Sequence, residues 1–261
     1  MKDHSFVVCA YKESPYLEEC LESLFAQTQK SNIVLVTSTP CEYIKKIVDK
    51  YNLPYYINTG EKGIAEDWNF GISKVTTPLV TIAHQDDIYE PEYAEKMVEA
   101  VNRHDKTLIA FSDYGELRNG VKIDNNRLLT IKRILLSGLK NPKKQDKISR
   151  KKGALKLGSA ICCPAVTINL DCVSKPVFKH QFRSNVDWQA WYRMIECDGA
   201  FSFYDKILMY HRIHEGSETS NIIADNKRGQ EDYEMFCLFW PKWIAKIISR
   251  VYKQGEKSNN V

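Results

Sequence analysis

Residues 79–91 read LVTIAHQDDIYEP, an apolar run that passes into an acidic turn and ends at a proline. The β-branched run up to Ala83 is typical of a buried strand, and Pro91 suits the first turn of a following helix. Asp86 and Asp87 therefore directly follow a strand, where a rigid element would hold both carboxylates. Hard divalent cations such as Mg²⁺ and Mn²⁺ bind through one or two carboxylates together with substrate phosphates, so the pair is a candidate metal site. The structural alternative is that Asp87 caps the next helix.

Apolar strands and helical segments alternate from the start of the chain to about residue 112. The predicted strands cover residues 5–10, 32–37, 54–57, 79–83 and 107–112. Such alternation is typical of βαβ units in a mostly parallel sheet, so the predicted fold class is α/β. Because ligands of these sheets bind beside the carboxyl ends of the strands, polar residues at those ends are candidate ligand contacts. They are Tyr11, Glu13, Thr37, Ser38 and His84 to Asp87.

Residues 118–152 are rich in Lys and Arg, and short apolar turns alternate there with Asn, Pro and Gly. This composition predicts a helix–loop excursion from the sheet. The excursion is either a solvated surface or an acceptor-side wall that meets an anionic ligand.

From about residue 225 the chain is predicted to be helical. Residues 236–254, FCLFWPKWIAKIISRVYKQ, intersperse Lys and Arg among aromatic and aliphatic side chains. This segment either packs against the core or rests as a basic amphipathic helix on an anionic membrane.

The composition is that of a globular protein with a sizeable core. The chain has 261 residues, of which 43% are hydrophobic and 27% charged, and we expect one large domain with a small C-terminal appendage. A net charge of +4 is modest, and no nucleic-acid-binding motif is present, so nucleic acid is not an expected partner. The eight cysteines form no C-x-x-C pair and are expected to be buried thiols. Without an apolar leader or membrane span in the sequence, the expected location is cytoplasmic, with the inner face of the membrane as a further option.

Five segments, in this order, resemble the family 2 glycosyltransferases. They are residues 6–28 (FVVCAYKESPYLEECLESLFAQT), 63–72 (GIAEDWNFGI), 84–91 (HQDDIYEP), 186–193 (VDWQAWYR) and 210–219 (YHRIHEGSET). Their co-occurrence is far more specific than any single one. The resemblance implies the GT-A fold, a mostly parallel sheet flanked by helices with a Rossmann-like nucleotide-binding half and a C-terminal helical extension.

The resemblance also implies a division of the chain. The GT-A domain would cover residues 1–220, with a nucleotide-sugar-binding half over 1–115 and an acceptor half over 116–220. The acceptor half contains the basic excursion, residues 118–152. Residues 221–261 would form the helical extension and tail.

Individual roles follow from the same resemblance. Asp86 matches the metal-binding position, Asp187 the general base, and His214 a position that approaches the metal or the diphosphate. His211 or Arg212 could instead contact phosphate. The residues that would bind the nucleotide sugar are Ala10, Tyr11, Glu13, Thr37, Asp67, Asn69, His84, Gln85 and Asp86.

The sequence departs from the family pattern at four places. Residues 36–40 read VTSTP where VDDGS is common, so hydroxyl groups replace a carboxylate that helps to hold the nucleobase. The sequence therefore leaves the identity of the nucleotide open. His84 replaces the first Asp of the acidic motif, Trp68 a common Arg, and Val186 a common Glu. None of these changes removes the expected metal ligand or the expected base.

The chemistry of the reaction is consistent with these assignments. Departure of a nucleoside diphosphate leaves charge on phosphate oxygens, which a divalent cation, Mn²⁺ or Mg²⁺, stabilises. Asp187 would deprotonate the acceptor hydroxyl, and direct displacement inverts the anomeric centre. As a structural alternative, Asp187 caps a helix; Trp188 and Trp191 are expected in the core.

The sequence therefore predicts a metal-dependent, inverting glycosyltransferase. Its donor is a nucleotide-diphosphate sugar, and its acceptor a hydroxyl-bearing glycan or lipid-linked molecule of bacterial surface polysaccharide or glycoconjugate synthesis. Peripheral membrane contact through the basic C-terminal helix is a further expectation. The alternative is a non-catalytic nucleotide-sugar or carbohydrate-binding protein that keeps the fold.

Overall fold

The computed structural model of the chain describes residues 3–214 and 228–257, with side chains up to Lys253. The motif at 210–219 is therefore described only as far as His214, and the tail after residue 257 lies outside the described residues. The strands are β1 His4–Ala10, β2 Asn32–Thr37, β3 Tyr55–Ile57, β4 Leu79–His84, β5 Ile88–Tyr89, β6 Thr107–Arg118, β7 Val121–Ile123, β8 Val166–Asn169 and β9 Ala200–Ile213. The helices are α1 Leu17–Phe25, α2 Glu42–Tyr51, α3 Ile64–Ile72, α4 Tyr93–Val101, α5 Arg127–Leu136, α6 Ile148–Leu155, α7 Val186–Arg193, α8 Arg228–Phe239 and α9 Lys242–Lys257.

The strands form one sheet in the order β3-β2-β1-β4-β8-β6-β9-β5, with β7 paired to β6. The first four strands of this order are mutually parallel, β8 runs antiparallel to its two neighbours, and β6 and β9 are parallel. The predicted mostly parallel α/β sheet is confirmed. Its register aligns Ala10 with Thr37 and Cys9 with His84, so the carboxyl ends of β1, β2 and β4 meet at one edge.

Apolar layers cover both faces of the sheet because successive strand residues point to opposite faces. In β1, Val7 enters one layer, whereas Phe6 and Val8 enter the other. Trp188 and Trp191 are fully buried in the layer of Val7, as predicted. All eight cysteines are free thiols, as predicted, but Cys197 is exposed, so the prediction of burial is wrong for that residue.

The basic excursion alternates helix and loop, as predicted, and it is fastened to the sheet. Arg133 Nε lies 2.6 Å from Asp113 Oδ2. Fully buried Lys151 donates from Nζ to the carbonyl oxygens of Cys197 at 2.7 Å and Gly199 at 3.1 Å. These contacts attach helix α5 to the middle of β6 and helix α6 to the residues just before β9.

The C-terminal helices pack beside α7. Phe236 of α8 lies edge-on to Trp188, with ring centroids 5.2 Å apart. The Glu231 carboxylate accepts backbone N–H bonds from Arg183 and Ser184, each at 2.8 Å, and so fixes the loop that leads into α7. No helix among residues 3–214 and 228–257 has the length and apolar composition needed to cross a membrane.

Candidate active site

The turns that follow β1, β2 and β4 form a continuous floor at the carboxyl edge of the sheet. Gln85 joins the first and last of them, because its side chain accepts from Tyr11 N and donates to Tyr11 O, both at 3.0 Å. Lys12, whose φ of 54° lies in the left-handed region, donates from its backbone to Thr39 Oγ1 at 2.7 Å. The buried Thr37 hydroxyl accepts from Thr39 N at 3.0 Å. These bonds hold three separate turns in one fixed arrangement.

Two of the predicted donor-binding residues flank this floor. Ala10 is the buried last residue of β1, and Glu13 is exposed on the loop that follows. Neither side chain contributes to the hydrogen bonds of the floor, so a ligand at Ala10 would meet backbone groups.

The first turn of α3 supplies the next wall. Asp67 accepts from Ser38 Oγ and from Asn58 Nδ2, each at 2.7 Å. Asn69 donates to Phe178 O at 2.8 Å and accepts from Phe178 N at 3.2 Å, which ties α3 to the loop before α7. A cavity of about 700 Å³ opens between these elements, and neither Asp86 nor Asp187 lines it.

Asp86, in the turn after β4, is paired with His214 beyond the end of β9. His214 Nε2 donates to Asp86 Oδ2 at 3.0 Å, and the two side chains are 22% and 17% exposed. Burial acts to raise the pKa of Asp86, but the hydrogen bond from His214 and the nearby imidazoles of His211 and His84 outweigh it and lower the pKa. Asp86 is therefore a carboxylate at neutral pH that solvent and ligands can reach.

Asp87 plays a different part, which the sequence did not indicate. Its fully buried carboxylate accepts from His211 Nδ1 and from Arg212 N, both at 2.9 Å. Burial alone would lower the pKa of His211, but the adjoining Asp87 charge raises it to about 9. The interpretation of Asp87 as a helix cap is wrong, because α4 begins only at Tyr93. Asp87 anchors β9 to the turn after β4.

The site has the donor groups that a divalent cation needs. Asp87 Oδ2 and His84 Nε2 are buried without a hydrogen-bond partner among the described residues, and one atom each of His84, Asp87 and His211 lie within 4.8 Å of one another. In octahedral coordination with bonds of about 2.1 Å, adjacent ligand atoms lie about 3 Å apart. A cation held by Asp86 Oδ2 and His214 Nε2 would displace the proton of their hydrogen bond, and their separation of 3.0 Å is closer to that spacing than the wider triad is. Mg²⁺ and Mn²⁺ also keep water or phosphate ligands, which favours this accessible pair.

Asp187 lies in the first turn of α7, where Trp188 N donates to its Oδ1 at 2.7 Å. Burial raises the pKa of Asp187, and the hydrogen bond from Trp188 N, together with the nearby side chains of Lys132, Arg228 and His84, partly opposes the rise. A carboxylate with a raised pKa is a stronger base than an exposed one. His84 lies near enough to both carboxylates to lower the pKa of Asp86 and to oppose the rise in the pKa of Asp187.

The remaining members of the site come from elements far apart in sequence. His84 stacks on Trp68 with ring centroids 5.5 Å apart. Arg212 donates from Nε to Asp86 O at 2.7 Å and forms an ion pair with Glu19 at 2.5 Å. Asn58 was not among the predicted site residues, although this polar residue directly follows β3 and so lies at the carboxyl end of a strand. Nothing in the sequence around Glu19 pointed to its place in the site.

Comparisons with known proteins agree with this architecture. The model of the family described as Glycosyl transferase family 2 matches residues 5–163, more than half of the chain. No curated protein sequence matches significantly. The S. aureus TarS 1–349 structure with UDP-GlcNAc superposes with a TM-score of 0.59 at 17% identity, covering 84% of this chain and 60% of that one. Mannosyltransferase PcManGT from Pyrobaculum calidifontis, in complex with GDP-Man and Mn²⁺, has a TM-score of 0.65 at 13% identity and covers 97% and 70%. At these identities the likeness shows the fold, and the GT-A prediction is confirmed.

Proposed function

Because the chain belongs to glycosyl transferase family 2, we propose that it transfers a sugar from a nucleotide-diphosphate sugar to a hydroxyl acceptor. The observation that carries the proposal is the meeting of the turns after β1, β2 and β4 at one edge of the sheet, where Asp86 lies 3.0 Å from His214. The pKa of Asp86 is lowered, which suits a cation ligand, and that of Asp187 is raised, which suits a base.

The donor would lie on the floor formed by the strand ends. Structural neighbours hold UDP-GlcNAc and GDP-Man, which supports a nucleotide sugar as donor here. Asp67 is already hydrogen-bonded to Ser38 and Asn58, so the three residues together offer hydrogen-bond acceptors and donors to the nucleobase of the donor. The remaining residues predicted to contact the donor would bind it at the same floor. They are Ala10, Tyr11, Glu13, Thr37, Asn69, His84, Gln85 and Asp86.

Asp86 and His214 would hold a divalent cation, Mn²⁺ or Mg²⁺. When bound, the cation neutralises charge on the departing diphosphate. Arg212 fixes the Asp86 backbone through its bond to the carbonyl oxygen, and the Tyr16 ring packs 5.0 Å from the His214 ring. These contacts position the two side chains before any ligand arrives.

Asp187 would remove the proton of the acceptor hydroxyl. Its Oδ1 already accepts the Trp188 N–H, which leaves Oδ2 to receive that proton. The hydroxyl oxygen then forms its bond to the anomeric carbon as the bond to the diphosphate breaks, so the anomeric configuration inverts. A glycan or lipid-linked acceptor of bacterial surface polysaccharide or glycoconjugate synthesis, reached from the cytoplasm, belongs to this proposal.

A non-catalytic sugar-nucleotide-binding protein is the second candidate. It is favoured by the replacement of family carboxylates at Thr37, His84 and Val186. Release of nucleoside diphosphate from a panel of nucleotide sugars, with and without Mn²⁺, separates the two. Metal-dependent turnover that is lost in Asp187→Asn supports the transferase, and binding without turnover for every donor and acceptor supports the alternative. Anomeric inversion is checked by NMR of the product.

A further inference from the structure

Helix α9 has a row of apolar side chains that faces solvent. Trp243, Ile247 and Val251 are 68%, 54% and 65% exposed. Residues four positions apart lie on the same side of a helix, so the three form one continuous stripe. An indole and two aliphatic side chains exposed side by side form an apolar surface patch, whereas Trp188 and Trp191 are fully buried.

A row of cations runs beside this stripe. Lys242, Lys246, Arg250 and Lys253 are all exposed, and no acidic residue occurs between residues 241 and 254. From Lys242 to Lys253, the exposed face of α9 therefore combines apolar and positively charged groups with no acidic residue of the helix among them.

The opposite side of α9 fixes which face points outward. Ala245 is fully buried, and the Tyr252 ring lies 5.5 Å from that of Phe236 and against Gly158. Because these contacts belong to the core, rotation of the helix to hide the stripe would break them. The stripe is thus a fixed feature of the folded surface.

We propose that this face of α9 docks on the surface of an anionic lipid bilayer. Indole rings favour the boundary between acyl chains and headgroups, and each Lys or Arg near an anionic surface adds about 1 kcal/mol of attraction. A second copy of the chain fits poorly, because a two-fold interface would set this cationic row against itself. Docking of this kind requires no helix that crosses the membrane.

The test is co-sedimentation of the full chain with vesicles of phosphatidylcholine alone and of phosphatidylcholine with phosphatidylglycerol. We expect binding to the anionic vesicles that weakens as salt is added. The double variant Lys242→Gln/Lys246→Gln should bind about 25-fold more weakly, roughly fivefold for each cation removed. The matched control is Lys143→Gln/Lys144→Gln, which removes two exposed charges from the excursion and should bind like the wild type.

The apolar stripe has its own variant. Trp243→Ala should lower binding roughly tenfold or more, whereas Val121→Ala, at an equally exposed site on β7, should not. All these positions are exposed, so unchanged melting temperatures verify that the variants fold. The assay needs neither donor nor acceptor, so its outcome is independent of the proposed activity.

Several results would overturn the inference. They are absence of binding to anionic vesicles, equal binding to both vesicle types, or equal losses in the two lysine pairs. A dimer in sedimentation experiments that Trp243→Ala dissociates would assign the face to a second copy instead.

Discussion

His214 Nε2 and Asp86 Oδ2 lie 3.0 Å apart although the two residues are separated by 128 positions in sequence. The pairing exists because β9 returns along the sheet and sets its end beside the turn after β4. A divalent cation that displaces the proton of this hydrogen bond would find one imidazole and one carboxylate at the spacing of adjacent ligands.

We expect Asp86→Ala to weaken Mn²⁺ binding by at least about tenfold, since substitutions outside the ligand shell already cause losses of that size. Isothermal titration in the presence of a nucleoside diphosphate measures the affinity. Asp105→Ala, at an exposed acidic residue, is the control and should retain wild-type affinity. If His84→Gln abolishes binding while Asp86→Ala does not, the cation is held by the inner triad of His84, Asp87 and His211.

For the base, Asp187→Asn should lower kcat by about 10²- to 10⁴-fold, because the amide cannot accept the proton of the acceptor hydroxyl. Donor binding should stay unchanged, since Asn keeps an oxygen for the Trp188 N–H. Steady-state kinetics with Asp105→Asn as the control measure the effect. Full activity of Asp187→Asn would exclude this residue as the base.

The anchoring role of Asp87 predicts a loss of stability. Asp87→Ala leaves the half-buried His211 imidazole and the buried Arg212 N–H without their acceptor, which should cost about 1–3 kcal/mol of the free energy of unfolding. Asp146→Ala removes the partner of Lys147 in an exposed ion pair and should leave the free energy of unfolding close to that of the wild type. Urea denaturation compares the two, and equal losses would show that Asp87 anchors nothing.

Buried His4 predicts a dependence of stability on pH. Its ring nitrogens bond the hydroxyls of Ser31 at 2.8 Å and Thr81 at 2.9 Å, and burial lowers its pKa from 6.5 to about 3. Between these values the unfolded chain binds a proton that the folded chain does not. The contribution of His4 to the free energy of unfolding is therefore fully present above pH 6.5. It falls by up to about 1.4 kcal/mol for each pH unit below 6.5.

Urea denaturation between these two pKa values tests this dependence. His4→Gln should flatten the slope of stability against pH in this window. His180→Gln, at a largely exposed imidazole, should leave the slope unchanged. An identical slope in His4→Gln and the wild type would contradict the assignment.

How far the sequence predicts this molecule depends on the range of the contacts involved. The strands and the placement of Asp86 at a strand end follow from local patterns, since apolar periodicity and breakers are properties of neighbouring residues. The bond of His211 to Asp87 and that of Asn69 to Phe178 join residues 124 and 109 positions apart. These contacts depend on where β9 and the loop before α7 lie in the folded sheet, which no local pattern specifies. The ion pair between Arg133 and Asp113, which attaches the basic excursion to the sheet, could not be predicted from the sequence for the same reason.

The central claim is that a cation-dependent donor site is built on Asp86. Thermal unfolding with UDP, GDP, dTDP and CMP, each with and without Mn²⁺, tests it most directly on wild type, Asp86→Ala and the control Asp105→Ala. A ligand that binds only the folded state stabilises it by about 2.7 kcal/mol at a hundredfold excess over its Kd. We predict a Mn²⁺-dependent rise in Tm for at least one nucleotide in the wild type and the control, and its loss in Asp86→Ala. No rise with any nucleotide, or an equal rise in Asp86→Ala, would contradict the claim.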